Sequence, residues 1–223
     1  MTKVFDTELA ELKERLLYMG GLVELMINLS IKSLVERNED LGKDLYRQED
    51  EVNRLQMEID DRCIKLIALN QPAGSDLRFI TSAMKINSEL ERMGDQAVNI
   101  IGAAKELLKF PQLKRLADIV LMANITKTMT KDCLDAFVRT DVGLAREVLL
   151  RDDKVDGLKD QIFRVLLTYM LAETRHIPVA LELILISRHL ERIGDHATNI
   201  AEDVIFLAEG RDVRHHGQEN SAI

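Results

Sequence analysis

Residues 90–100 read LERMGDQAVNI, and residues 190–200 read LERIGDHATNI. Eight of the eleven positions are identical across a shift of 100 residues, so the chain contains an internal duplication. The repeat puts a Glu-x-x-x-Asp pair at the same point of each half: Glu91 with Asp95, and Glu191 with Asp195. On an α-helix a four-residue step advances ~6 Å and returns to nearly the same face. Each pair then presents two carboxylates side by side, an arrangement that suits a hard or borderline metal ion.

Working outward, Met19 aligns with Met122, Met26 with Met129, Leu41 with Leu144 and Val52 with Val155, all at an offset of 103. The offset falls to 100 beyond the second helix, so the first half carries three extra residues in the loop there. Two halves of about 100 residues are each large enough for a packed core.

Composition points to helices. Leu, Ile, Val, Met, Glu, Lys and Arg dominate, aromatics are 4%, Trp is absent and Pro occurs three times. Most of these residues lose little on entering a helix. Apolar residues recur at helical spacing almost throughout. In the first predicted helix (4–37), Leu9, Leu12, Leu16, Met19, Val23, Met26, Ile27 and Leu34 share one side. The pattern predicts further helices over 41–69, 75–109, 112–139, 142–172 and 178–209. Pro72 and Gly74 mark the clearest turn, with Ser75 a candidate N-cap; Asp141 is a second candidate cap. Pro178 fits a first helical turn and Gly210 a C-terminal stop. The predicted fold is all-α: two tandem three-helix bundles of long antiparallel helices, spanning 1–110 and 111–210, with a polar tail at 211–223.

The formal net charge is −8 and no basic run stands out, which argues against nucleic acid as a partner. No 18 uninterrupted apolar residues occur, and the N-terminus lacks the order of a signal peptide, so the expected location is the cytoplasm. Cys63 and Cys133 lie far apart and read as buried thiols.

A second acidic motif precedes each pair by one helix. In the second half it is Asp152 with Asp156; the aligned residues of the first half are Glu49 and Asn53. If neighbouring helices are antiparallel, Glu49, Asn53, Glu91 and Asp95 face one another, as do Asp152, Asp156, Glu191 and Asp195. Four oxygen donors of this kind suit iron, manganese, magnesium or calcium, and zinc less well. Asn53 replaces a carboxylate with an amide, so the first site is expected to bind a cation more weakly. The alternative is a solvated face on which Arg92 and Arg192 pair with Asp95 and Asp195 at i,i+3. Glu173-x-x-His176 matches half of a di-iron motif but occurs once. His189 and His196 flank the second pair out of register, with His196 an edge-on candidate, and His215-His216 lies in the tail. Most of the Met residues read as core filling. No nucleophile–base pair, phosphate loop or strand stands out, so no catalytic or cofactor-binding residues are expected.

The chain resembles the PhoU family, the accessory regulators of phosphate-specific transport. The residues that carry the likeness are Met19-Gly20-Gly21, Gln71-Pro72, Ser75-Asp76-Leu77-Arg78 and Leu90-Glu91-Arg92-Met93-Gly94-Asp95. The second half adds Asp153-Lys154-Val155-Asp156, Arg175-His176-Ile177-Pro178 and Leu190-Glu191-Arg192-Ile193-Gly194-Asp195. The resemblance implies a duplicated three-helix fold and a non-enzymatic homodimeric regulator. Such a protein couples the cytoplasmic ATPase side of a phosphate ABC transporter to a sensor histidine kinase, and meets the membrane only through these partners. When phosphate is plentiful, it holds the starvation response off and limits uptake. It also implies metal (iron, manganese, magnesium or zinc) at Glu49 with Glu91 and Asp95, and at Asp152 and Asp156 with Glu191 and Asp195. Asn53 departs from that pattern. The competing class is a carboxylate-bundle metal enzyme or metal store, which the lack of paired Glu-x-x-His motifs disfavours.

Overall fold

A computed structural model describes residues 3–111 and 117–210, with side chains from Phe5 onward. Six helices follow in order: α1 (Lys3–Glu36), α2 (Leu41–Asn70), α3 (Ser75–Leu107), α4 (Ala117–Arg139), α5 (Val142–Ala172) and α6 (Ile177–Glu209). A single 3₁₀ turn at Thr174–His176 leads into α6. Among the described residues there is no strand. Residues 112–116, where the fourth helix was predicted to begin, and the tail at 211–223 with His215-His216 lie outside the described residues.

Each half is a three-helix bundle, and the halves meet mainly along α3 and α6, with α1 also packing on α4. The same kinds of residue do the same work in both. Met26 and Val52 line Gly94 in the first half, and their counterparts Met129 and Val155 line Gly194 in the second. The buried side chains form one continuous cluster running through both halves. Burying each Leu- or Met-sized side chain stabilises the fold by roughly 1.5–3 kcal/mol. Met19, Met26, Met93, Met122 and Met129 are fully buried, as expected of core filling. Met57 is the departure: it lies on the outer face of α2 and is 66% exposed. Helix α1 is the one described helix long and apolar enough to cross a membrane, yet Leu12, Leu16, Met19, Val23 and Met26 of that helix are spent on the core.

The helix ends follow local chemistry. Asp141 is an N-cap, its carboxylate accepting from the Leu144 N–H at 3.0 Å. Gly210 ends α6 in the left-handed region at φ 66°. Pro178 lies in the first turn of α6. Ser75 does not cap α3: it is already the first helical residue, Gly74 holds the cap position, and no side chain caps that end. Gly74 has φ 61°, which Ser would adopt only with strain, so the chain turns one residue earlier than expected. At the aligned positions Arg37 and Thr140 both have positive φ (53° and 54°), ending α1 and α4 alike. Only Arg37 reaches onward, donating from Nη2 to the carbonyls of Leu107, Leu108 and Phe110 at 3.2, 3.0 and 2.8 Å and so tying off the end of α3.

Candidate metal-binding faces of the two halves

Helix α2 packs on α3, and α5 on α6. This brings the predicted acidic motifs together pairwise. In the second half the Asp152 carboxyl is pushed up to about 6, first by burial and then by the charges of Asp195, Asp156, Asp153 and Glu191. Asp195 is raised too, by burial and then by Glu191 and Asp156. Asp152, Asp156, Glu191 and Asp195, from two helices, therefore lie within electrostatic reach of one another. Gly194 makes room for them: a Cβ there would meet Asp152 Oδ1 at 3.3 Å. A side chain on α6 at this point would press on the carboxylate, which accounts for Gly in mid-helix despite its cost of about 1 kcal/mol relative to Ala.

The first half is built similarly with fewer charges. Burial raises the Glu49 carboxyl, and Asp95 adds to it. Burial and Asp95 raise Glu91, which Arg92 and His196 partly offset. Asn53 lies one helical turn from Glu49 on α2, partly buried and neutral. Around Gly94 the nearest atoms to a Cβ would be Met26 Cε and Sδ and Val52 Cγ1, at 3.4–3.7 Å, with no carboxylate among them.

Lys159, a residue the sequence reading passed over, lies in the second face. Its Nζ donates to Glu191 Oε1 at 3.0 Å and Asp156 Oδ1 at 3.3 Å, joining α5 to α6. A cation thus already stands among these oxygens, the kind of occupant the donor set is suited to hold. The signal was present: Lys159 follows Asp156 by three residues, on the same helical face. The aligned residue in the first half is Gln56. There the tie is different: Asn87, fully buried on α3, donates to the Gln56 carbonyl at 2.9 Å and Asp60 Oδ1 at 3.0 Å on α2. Among the described residues no three His, Cys, Asp or Glu side chains converge closely enough to hold an ion as they stand. Ligation would require the carboxylate ends to turn inward.

The other sequence candidates fall elsewhere. Arg92 reaches toward Glu89 at 3.8 Å rather than toward Asp95. Arg192 does not pair with Asp195; its charge acts on His189, whose pKa is lowered first by burial and then by Arg192 and Arg188. His196 turns away from the acidic face to Glu89 Oε2 at 2.6 Å, which also accepts from Asn199 at 3.1 Å. Burial pushes the Glu89 carboxyl up, but these two bonds, with the charges of His196 and Arg92, outweigh it and leave it below the usual carboxylate range. The equivalent pair across the seam is His189 with Gln96, at 2.9 Å. His176 lies 3.7 Å from Glu173 at the start of α6, far from either face in sequence. Cys63 and Cys133 are buried free thiols, Cys63 pushed up to about 12 by burial.

A pair of bundles fused along α3 and α6, each carrying a glycine-backed acidic face, matches a known domain twice: the PhoU domain, over residues 16–104 and 119–204. The chain belongs to the PhoU family. It is 38% identical over 218 residues to the phosphate-specific transport system accessory protein PhoU homolog of Pseudomonas putida, covering 97% of this chain and 85% of that one. The crystal structure of PhoU from Pseudomonas aeruginosa superposes with a TM-score of 0.90 at 38% identity, covering 93% of this chain and all of that one (100%). The phosphate transport system regulatory protein PhoU from Streptococcus pneumoniae gives a TM-score of 0.88 at 30% identity, over 94% of this chain and 99% of that one. The family is one of accessory and regulatory proteins, not of enzymes.

Proposed function

We propose that this chain is a cytoplasmic adaptor of phosphate homeostasis, holding a phosphate ABC transporter and a sensor histidine kinase in their phosphate-replete states. Membership of a family of phosphate-transport accessory proteins over nearly the whole length supports the transporter side of this reading. The kinase coupling and the homodimer extend it. The observation that carries the mechanism is the pairing of acidic faces between α2 and α3 and between α5 and α6.

In this reading Asp152, Asp156, Glu191 and Asp195 hold a cation in the second half, and Glu49, Glu91 and Asp95, with Asn53 beside them, hold one in the first. An all-oxygen set favours iron, manganese or magnesium over zinc. A bound ion would supply positive charge that relieves carboxylate repulsion and cross-links neighbouring helices. The helices so braced present one shape to the transporter and the kinase. A signal follows only if each partner binds that shape more tightly in one of its own states than in the other.

The test is metal content per chain by elemental analysis, on protein purified without chelator or affinity tag, for the wild type, E91A/D95A and E191A/D195A. Each double variant should lose its own half's metal while circular dichroism stays helical. Metal content unchanged in both would remove these residues from the site. Capture of the transporter ATPase, by the metal-loaded protein but not by the double variants, tests the link from ion to partner. Equal capture by all three would separate docking from the acidic faces.

A further inference from the structure

We infer that Lys159 is a built-in counter-cation of the second acidic face, which a divalent ion must displace in order to bind there. The inference rests on the metal reading above and goes beyond it, because it assigns the two halves different control. Lys159 Nζ lies 3.0 Å from Glu191 Oε1, 3.3 Å from Asp156 Oδ1 and 3.9 Å from Asp160 Oδ1. Its side chain is 30% exposed and that of Glu191 21%, so this contact is less screened than a fully exposed pair. An ammonium on a four-carbon stem is a compact charge with three donors and no fixed fork, able to swing out to solvent as another cation arrives.

The first half has no such device. Gln56 stands where Lys159 does, and among the described residues no ion pair involves Glu49, Glu91 or Asp95. Charge bookkeeping sharpens the contrast. Counting only the proposed ligands and the lysine bonded to them, the second face has four carboxylates and one ammonium and the first has three carboxylates, so each set is net −3. Carboxylate number alone ranks the second site as the stronger. With Lys159 included, that advantage is offset, and occupancy of the second site becomes a competition with the protein's own side chain. An ion entering there breaks the Lys159 tie between α5 and α6 and substitutes its own, so metal exchange is coupled to how these helices are held. In the first half the Asn87 tie to α2 involves none of the acidic ligands and persists whether or not metal is bound.

The experiment uses full-length protein stripped of metal and titrated calorimetrically with manganese(II). In the E91A/D95A background only the second face titrates, and K159Q should tighten binding by roughly threefold to tenfold, the scale of losing one partly exposed ion pair. K159R, which keeps the charge, should leave affinity close to the parent's. In the E191A/D195A background Q56K should weaken the first site by a similar factor, which keeps the inference testable if K159Q folds poorly. Thermal melts give a second readout. In chelator K159Q should melt below its parent, having lost the helix tie, and in saturating manganese the difference should close or reverse. Unchanged or weaker manganese binding in K159Q, with Q56K also without effect, overturns the role of Lys159 while leaving the metal sites intact. No manganese binding by the wild type or any variant overturns the metal reading, and this inference with it.

Discussion

The two acidic faces are copies of one design that have come to be stabilised in different ways. In the first half a buried amide holds α2 on α3: Asn87 reaches across to the Gln56 carbonyl and the Asp60 carboxylate, and the proposed ligands Glu49, Glu91 and Asp95 stand apart from that tie. In the second half the position aligned with Asn87 is Ser187, which only bonds back within its own helix to the Ile184 carbonyl at 2.8 Å. There the tie between helices passes through the acidic residues themselves, by way of Lys159. Both halves keep three of the four carboxylate positions and the glycine behind them, while the fastening of one helix to the next is an amide outside the face in the first half and an ammonium inside it in the second. The lesson is that equivalent ligand residues need not make equivalent sites: the neighbouring fastener decides how far the ligands are free.

The comparison is most directly broken at the fasteners. Asn87→Ala removes two bonds made by a fully buried side chain, one of them to the Asp60 carboxylate, so it should cost roughly 2–3 kcal/mol, whereas Ser187→Ala should cost under about 1 kcal/mol. Urea unfolding midpoints of the two variants decide this; equal losses would mean that the halves are fastened alike.

The seam between α3 and α6 sharpens the contrast at the next level. Glu89 holds His196 and Asn199, while its counterpart His189 holds only Gln96. Glu89→Ala should therefore destabilise by about 1.5–2 kcal/mol, and Gln96→Ala by about 1 kcal/mol or less, since bonds to an ionised group are the stronger ones. A double-mutant cycle between Glu89 and His196 measures the pair alone.

Acidity separates the faces more gently. Asp152 is raised from 3.8 to about 6, so between these values the native protein holds a proton that the unfolded chain has released. Stability from this group then falls as pH rises through that window and stays at its lower value above it. In chelator, Asp152→Asn should remove this component, so the variant's melting temperature should rise relative to the wild type's from pH 4 to pH 6 and the difference should level off beyond. A gap independent of pH would mean that Asp152 is not crowded by its neighbours.

The smallest difference is expected at the glycines. Gly94→Ala places a methyl at ordinary contact with Met26 and Val52 and should be neutral or stabilise by up to about 1 kcal/mol through helix propensity. Gly194→Ala gains the same propensity but presses on Asp152, so thermal melts in chelator should show it gaining less. Identical gains would mean that Asp152 yields freely.

The sequence by itself determined the architecture. A 3.6-residue apolar rhythm, few breakers and two copies of one segment leave little besides six helices in two similar bundles, because helix formation and apolar burial act over short stretches that the residue pattern records directly. It also determined which carboxylates share a helical face, since Glu91 with Asp95 and Asp152 with Asp156 follow from helical geometry alone. The turn before α3 was read one residue late, because the left-handed conformation of Gly74 is set by where the chain must go next and not by capping preference. What lies across from each face was decided only in three dimensions. His196, one residue from Asp195, turned to Glu89 on another helix; Arg92 turned to Glu89 as well; and Lys159, unremarkable in the sequence, bridged Asp156 and Glu191 in the second face. Those choices depend on the rotation and register of helices packed from distant parts of the chain. A few ångströms of register decide which long, charged side chain reaches which oxygen, and helical spacing carries no information about that register.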